Sequence, residues 1–156
     1  MPGLLSFREA PAVLDAFEKL TITPDLLIFD GHDIAHPRRL GIASHVCLLV
    51  DIPSIGCAKH RLCGQYAKPA RECGSYTYLT DRGETIGAVV RTRTGVKPVF
   101  VSIGHHIDLP TAIDIVPACA RGYRLPEPTR QADKVAGGAT PPIQTTPSHP
   151  QQPSLL

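Results

Sequence analysis

The sequence predicts an α/β fold, a mixed sheet flanked by helices. Three observations carry that reading. Two short apolar runs of strand length, Leu26–Phe29 and Ser54–Ala58, each end at a charged residue, Asp30 and Lys59. Two β-prone runs, Tyr76–Thr80 and Thr85–Thr92, flank Asp81-Arg82-Gly83, a hairpin turn signal. Helices read before, between and after these runs, so helices and strands alternate first and a hairpin follows.

Taken in order, Val13, Leu14, Phe17 and Leu20 repeat at helical intervals and predict a helix near Arg8–Leu20, with Pro11 close to its first turn. Thr23-Pro24-Asp25 breaks it. Leu26–Phe29 reads as a strand buried on both faces. A loop runs from Gly31 through Pro37, and Leu40–Val50 reads as a second helix, although its apolar density also suits a strand. Ser54–Ala58 is the second buried strand. After the hairpin, Thr94-Gly95 turns the chain into a strand over Pro98–Ile103, which Gly104 ends. Pro110–Ala120 reads as a helix with Pro117 as a kink or stop. Pro126–Val135 reads as a last short helix.

The chain has 156 residues, enough for one domain. No charged side chain follows Lys134, and the stretch 137–156 is rich in Pro, Gly, Thr, Ser and Gln, so we read 1–136 as the folded domain and 137–156 as a disordered tail. A formal charge of +2 excludes a polybasic protein but not a local basic patch. The longest strictly apolar run, Val46–Val50, is far short of the roughly 20 residues of a membrane-spanning helix, and no secretory signal is visible. These features predict a cytoplasmic protein without membrane contact. Five cysteines without a Cys-x-x-Cys pair predict reduced, mostly buried thiols rather than a disulfide framework or zinc ribbon.

Several residues could carry chemistry. Asp30, at the end of an apolar strand and before Gly31, would project into the crevice where α/β sheets place their sites, or merely make a turn. Glu9 could be a second carboxylate, or the far end of a capping box begun by Ser6. Lys59 and Arg61 end the second strand and are either boundary charges or neighbours of Asp30. His105 and His106 follow Gly104, so one could be a ligand or acid/base and the other structural. His36-Pro37-Arg38-Arg39 is a basic loop, open to phosphate contact or simple solvation. Three strands thus end in Asp30, Lys59 and His105. Two carboxylates, a Lys and a His around Mg²⁺ would suit in-line attack of water on a phosphodiester.

Longer segments are more specific. Pro2-Gly3-Leu4-Leu5-Ser6-Phe7-Arg8-Glu9-Ala10-Pro11, Phe29-Asp30-Gly31-His32, and His36-Pro37-Arg38-Arg39-Leu40-Gly41-Ile42-Ala43-Ser44-His45 occur in order. Ile55-Gly56-Cys57-Ala58-Lys59 with Arg61-Leu62, then Gly104-His105, and Tyr123-Arg124-Leu125-Pro126-Glu127-Pro128-Thr129-Arg130 follow. Together these resemble the endonuclease V (deoxyinosine 3′ endonuclease) family. The resemblance implies a ribonuclease-H-like sheet and Mg²⁺-dependent hydrolysis, with Mn²⁺ as an alternative ion. The bond cut would be the second phosphodiester 3′ to deoxyinosine or another deaminated base. It implies Glu9 and Asp30 as metal carboxylates, Lys59 beside the attacking water and scissile phosphate, and His105 beside the metal. Pro2, Gly3, Leu5, Gly31, His36, Arg38, Ile42 and Leu62 would receive the flipped base and contact the nucleic acid.

The sequence departs from the family in three places. The resemblance implies a further catalytic Asp and three strands upstream of residue 1, so it identifies the chain as an N-terminally shortened member, from a misplaced start or partial gene. The aromatic wedge is missing, with Met1 at its Ile position, and Asp33 replaces a common Gly. The expected function is therefore a DNA-repair endonuclease acting as a monomer. A catalytically impaired nucleic-acid-binding fragment and an inosine-specific endoribonuclease acting on inosine-containing RNA remain the alternatives.

Overall fold

Strand pairing explains where the chain goes. A computed structural model describes residues 5–140, with side chains from residue 8 onward. The elements run α1 (Leu5–Glu18), β1 (Leu27–Phe29), α2 (Ile42–Val50), β2 (Ser54–Ala58), β3 (Tyr76–Asp81), β4 (Glu84–Val90), β5 (Val99–Ile103), α3 (Leu109–Ala120) and α4 (Glu127–Ala136). The strands form one mixed sheet in the order β1-β2-β5-β4-β3, with β1 parallel to β2 and every other pair antiparallel. Arg82 and Gly83, both at positive φ, turn β3 back into β4 with the twist a two-residue hairpin needs.

The pleat sorts the core. Ile55 and Cys57 of β2 and Val99 and Val101 of β5 pack with Ala112, Ile113 and Val116 of α3 on one face. Ala58, Leu79, Ile86, Val89 and Phe100 pack with Ala35 of the β1–α2 loop on the other. Each buried Val or Leu in such a core stabilises by about 1.5–3 kcal/mol over exposure. α1 lies against α2, and α2 against β1 and β2. Gly56 lets the β1–α2 loop come down on β2, because a Cβ there would sit 2.8 Å from the Gly31 carbonyl oxygen. No helix among the described residues is long and apolar enough to cross a membrane.

The structure corrects four expectations. β1 is half-buried rather than buried on both faces, because β2 is its one strand neighbour among the described residues. Pro11 lies at the seventh residue of α1, not in its first turn, and Ser6 is already inside that helix, so no capping box starts there. Pro117 neither stops nor ends α3, which continues to Ala120. The thiols are less buried than expected. Cys47 and Cys57 are buried, Cys63 and Cys119 half-buried and Cys73 exposed, and all are free. Pro2 and Gly3, and residues 141–156 of the tail, lie outside the described residues.

Candidate reaction centre at the end of the parallel pair

Parallel pairing of β1 with β2 brings the residues after both strands to the same edge of the sheet. Lys59 Nζ donates to Asp30 Oδ2 at 2.8 Å and to Asp133 Oδ2 of α4 at 3.3 Å. All three side chains are partly open to solvent, so an outside ligand can reach them. The Asp30 contact, then the Asp133 contact, raise the Lys59 pKa above its ordinary value despite some desolvation. Lys59 is therefore a fixed cation at neutral pH and a poor proton acceptor.

Arg124 sets the position of that cation. Its guanidinium donates to the carbonyls of Lys59 (2.6 Å), Pro98 (3.0 Å) and Lys97 (3.0 Å), locking the end of β2 to the entry of β5. The Thr92 hydroxyl in turn donates to the Arg124 carbonyl at 2.5 Å. α4 begins after the buried Pro126, whose carbonyl accepts from the Thr129 hydroxyl at 2.8 Å. Glu127 accepts from Gln131 at 2.5 Å and pairs with Arg130, whose guanidinium lies 3.5 Å from the Tyr123 ring centroid. The segment from Tyr123 to Arg130 thus braces the helix that delivers Asp133.

Asp133 is the residue the sequence reading missed. It lies 74 positions after Lys59, and nothing in its local pattern distinguishes it from a solvated helix charge. The Pro-Glu-Pro-Thr-Arg segment just before it was the available signal.

His105 is the clearest correction. β5 runs antiparallel to β2, with Ile55 opposite Ile103 and Ala58 opposite Phe100. The end of β5 therefore meets the start of β2. The Ser54 amide donates to the His105 carbonyl, and the His105 amide to Ser54 Oγ, each at 3.0 Å. Lys59 is five residues further along β2, about 16 Å at ~3.3 Å per residue. His105 thus does not join Asp30 and Lys59. Its Nε2 lies 2.9 Å from Asp51 Oδ1 instead.

The other expected residues lie on α1, on the loop between β1 and α2, at the start of α2 and on the loop after β2. Glu9 is exposed on α1, and no hydrogen bond or ion pair joins it to Asp30 or Lys59 among the described residues. Gly31 and Ile42 are neighbours, since a Cβ on Gly31 would rest 3.6 Å from Ile42 Cγ2. His36 Nδ1 accepts from the Arg38 amide at 3.2 Å, and burial holds its pKa below the ordinary value. Arg38 and Leu62 are exposed. Arg39, the other basic-loop candidate for a phosphate, is taken up by Asp81 at 3.0 Å and Glu84 at 3.4 Å. The side chain of Leu5 lies outside the described residues.

Asp33 is buried beneath this loop. Its Oδ1 accepts from the Ser44 amide at 2.9 Å and from the Ser44 hydroxyl, while Oδ2 has no hydrogen-bond partner among the described residues. Burial pushes its pKa up to about 6 against the opposing Ser44 bonds.

The chain is similar to proteins of known structure and sequence. The Endonuclease V family model matches residues 1–134. The endonuclease V of a Roseiflexus species is 61% identical over 136 residues, covering 87% of this chain and 61% of that protein. The crystal structure of the Streptomyces avermitilis endonuclease V superposes with a TM-score of 0.85 at 44% identity, covering 88% of this chain and 60% of that one. The Ciona intestinalis endonuclease V, solved with a DNA 24-mer containing an inosine followed by a ribo-adenosine, superposes with a TM-score of 0.70 at 27% identity over 88% of this chain and 65% of that one. The chain spans about three-fifths of the length of the relatives it matches.

Proposed function

The chain belongs to the endonuclease V family, with its ribonuclease-H-like mixed sheet, and from that premise we propose that it is a divalent-cation-dependent endonuclease domain acting at inosine or other deaminated bases. The observation that carries the proposal is the convergence of Asp30 and Asp133 on Lys59 at one open sheet edge.

The donor set suits a hard cation. Two carboxylates face one point, each with a second oxygen to spare, and hard cations take oxygen ligands while keeping water positions open. Asp30 and Asp133 would hold Mg²⁺, with Mn²⁺ as the alternative, and Glu9 on α1 is the further carboxylate assigned to that ion. When bound, such an ion neutralises phosphate charge and makes water a better nucleophile, which phosphodiester hydrolysis requires. Lys59 acts as a cation throughout. It pairs with a non-bridging phosphate oxygen and orients the scissile bond, and does not take the proton of the attacking water. Arg124 keeps Lys59 in place through the backbone.

Gly31 and Ile42 form the floor of the base pocket in this reading, with His36, Arg38 and Leu62 around it. Neutral His36 can offer or accept a hydrogen bond at the edge of an extruded base. The partner is DNA containing deaminated bases, or RNA containing inosine, met by a monomer in the cytoplasm. DNA and RNA are separated by contacts to the 2′-hydroxyl.

The test is incubation with single-inosine DNA and single-inosine RNA in Mg²⁺, with Asp30→Ala as the control. Cutting at the second phosphodiester 3′ to inosine, lost in the variant, supports the proposal, and the preferred strand identifies the substrate. A folded protein that retains inosine-strand binding but never cuts overturns the nuclease reading in favour of a binding fragment.

A further inference from the structure

At the far end of the sheet, about 16 Å along β2 from Lys59, three metal-ligating side chains meet. Asp51 Oδ1 lies 2.9 Å from His105 Nε2 and 3.0 Å from His106 Nε2, and the candidate ligand atoms all fall within 4.8 Å of one another. From this cluster we infer a second cation site, distinct from the carboxylate–lysine centre and selective for an imidazole-preferring first-row divalent ion such as Zn²⁺.

The spacing suits coordination. Ligand atoms at about 2.1 Å from an ion stand ~3.0 Å apart in cis octahedral positions and ~3.4 Å apart at tetrahedral angles. The two separations from Asp51 Oδ1, 2.9 and 3.0 Å, match the first. An ion entering there takes the place of the two Nε2–Asp51 hydrogen bonds, each neutral imidazole binding through Nε2 with its proton on Nδ1. Two His and one carboxylate on one side leave the remaining positions open to water, as in facial two-His-one-carboxylate sites.

The backbone holds the set in place before any ion arrives. Asp51 caps α2 in the left-handed region (φ 54°), with its amide donating to the Cys47 carbonyl at 2.8 Å. His105 is tied to Ser54 through both its amide and its carbonyl. His106 is also left-handed (φ 51°), which turns its ring back beside that of His105, with centroids 3.7 Å apart. A preorganised set loses little conformational entropy on binding. Chemistry separates the two sites. Imidazole nitrogen favours Zn²⁺, Ni²⁺ and Co²⁺ over Mg²⁺, whereas carboxylate oxygen around a lysine favours the hard ion. An ion here would clip the α2–β2 corner to the β5–α3 loop and stabilise the fold by mass action.

The test is calorimetric titration of the full chain with Zn²⁺, with melting temperature followed in parallel and Co²⁺ absorbance as a coordination signature. His106→Ala removes an exposed ligand, and Asp30→Ala disables the other site. The inference expects one Zn²⁺ per chain, a raised melting temperature and a Co²⁺ visible band, all retained in Asp30→Ala and weakened at least tenfold in His106→Ala. No binding by the parent chain, equal binding by His106→Ala, or loss of binding in Asp30→Ala would overturn it. Failure of inosine cutting would leave it untouched, because the two sites share no residue.

Discussion

Lys59 Nζ lies 2.8 Å from Asp30 Oδ2, across two parallel strands that end side by side. The pair is partly exposed, so it contributes little to stability, about 0–1 kcal/mol. Its value is positional. Replacing Lys59 by Met should lower inosine-strand cutting by about two orders of magnitude in kcat while shifting the melting temperature by no more than a few degrees. A single-turnover assay beside a thermal melt separates the two effects, and an unchanged rate constant would remove Lys59 from the reaction centre.

Arg124 acts on Lys59 through the backbone. Arg124→Ala leaves three carbonyls, of Lys59, Lys97 and Pro98, without their charged donor. Loss of such bonds costs about 1–3 kcal/mol. Urea unfolding should report that loss, and cutting should fall with it. Arg124→Lys should restore stability only in part, since an ammonium cannot reproduce the planar fork. Full rescue by Lys would contradict the positioning role.

Asp33 makes stability depend on pH in an unusual direction. Its folded pKa, about 6, lies above the ordinary carboxyl value because burial penalises the anion. A raised pKa means that the folded state binds the proton more tightly than the unfolded chain. The Asp33 contribution is therefore fully present below the unfolded pKa and is lost as pH rises through about 6. Asp33→Asn keeps an acceptor for Ser44 and removes the charge. It should be more stable than the parent at pH 7.5 by about 1–3 kcal/mol, and the gap should close toward pH 4. A stability difference that stays flat over that range would show that Asp33 does not titrate there.

Leu79 is fully buried on the loop-covered face of the sheet. Leu79→Ala should cost about 2–5 kcal/mol, since the rigid sheet cannot collapse onto the space left. A loss below 1 kcal/mol in chemical denaturation would mean that this face is more adaptable than its packing indicates.

Much of the fold is legible in the sequence because its cues are local. Arg82-Gly83 fixes the hairpin turn, the apolar run 54–58 is β2, and helical spacing marks α1 to within a few residues. What is long-range is not legible. Leu26–Phe29 has the composition of a central strand, yet it is half-buried because β2 is its one strand neighbour among the described residues. His105 follows a strand as Asp30 and Lys59 do, but strand direction comes from pairing between residues 55 and 103, which no local pattern encodes. Asp133 escaped notice for the same reason. Asp30 and Lys59 were legible as neighbours only conditionally, and the parallel β1–β2 register meets that condition.

The central claim is that Asp30, Lys59 and Asp133 form one cation-assisted reaction centre. The most direct measurement is the rate of Mg²⁺-dependent cutting of a 5′-labelled single-inosine strand by the parent chain and by Asp133→Asn, with products resolved to the nucleotide. The account predicts a single product, cut at the second phosphodiester 3′ to inosine, made at least tenfold more slowly by the variant at unchanged melting temperature. Equal rates in the two proteins, or cuts indifferent to inosine, would contradict it.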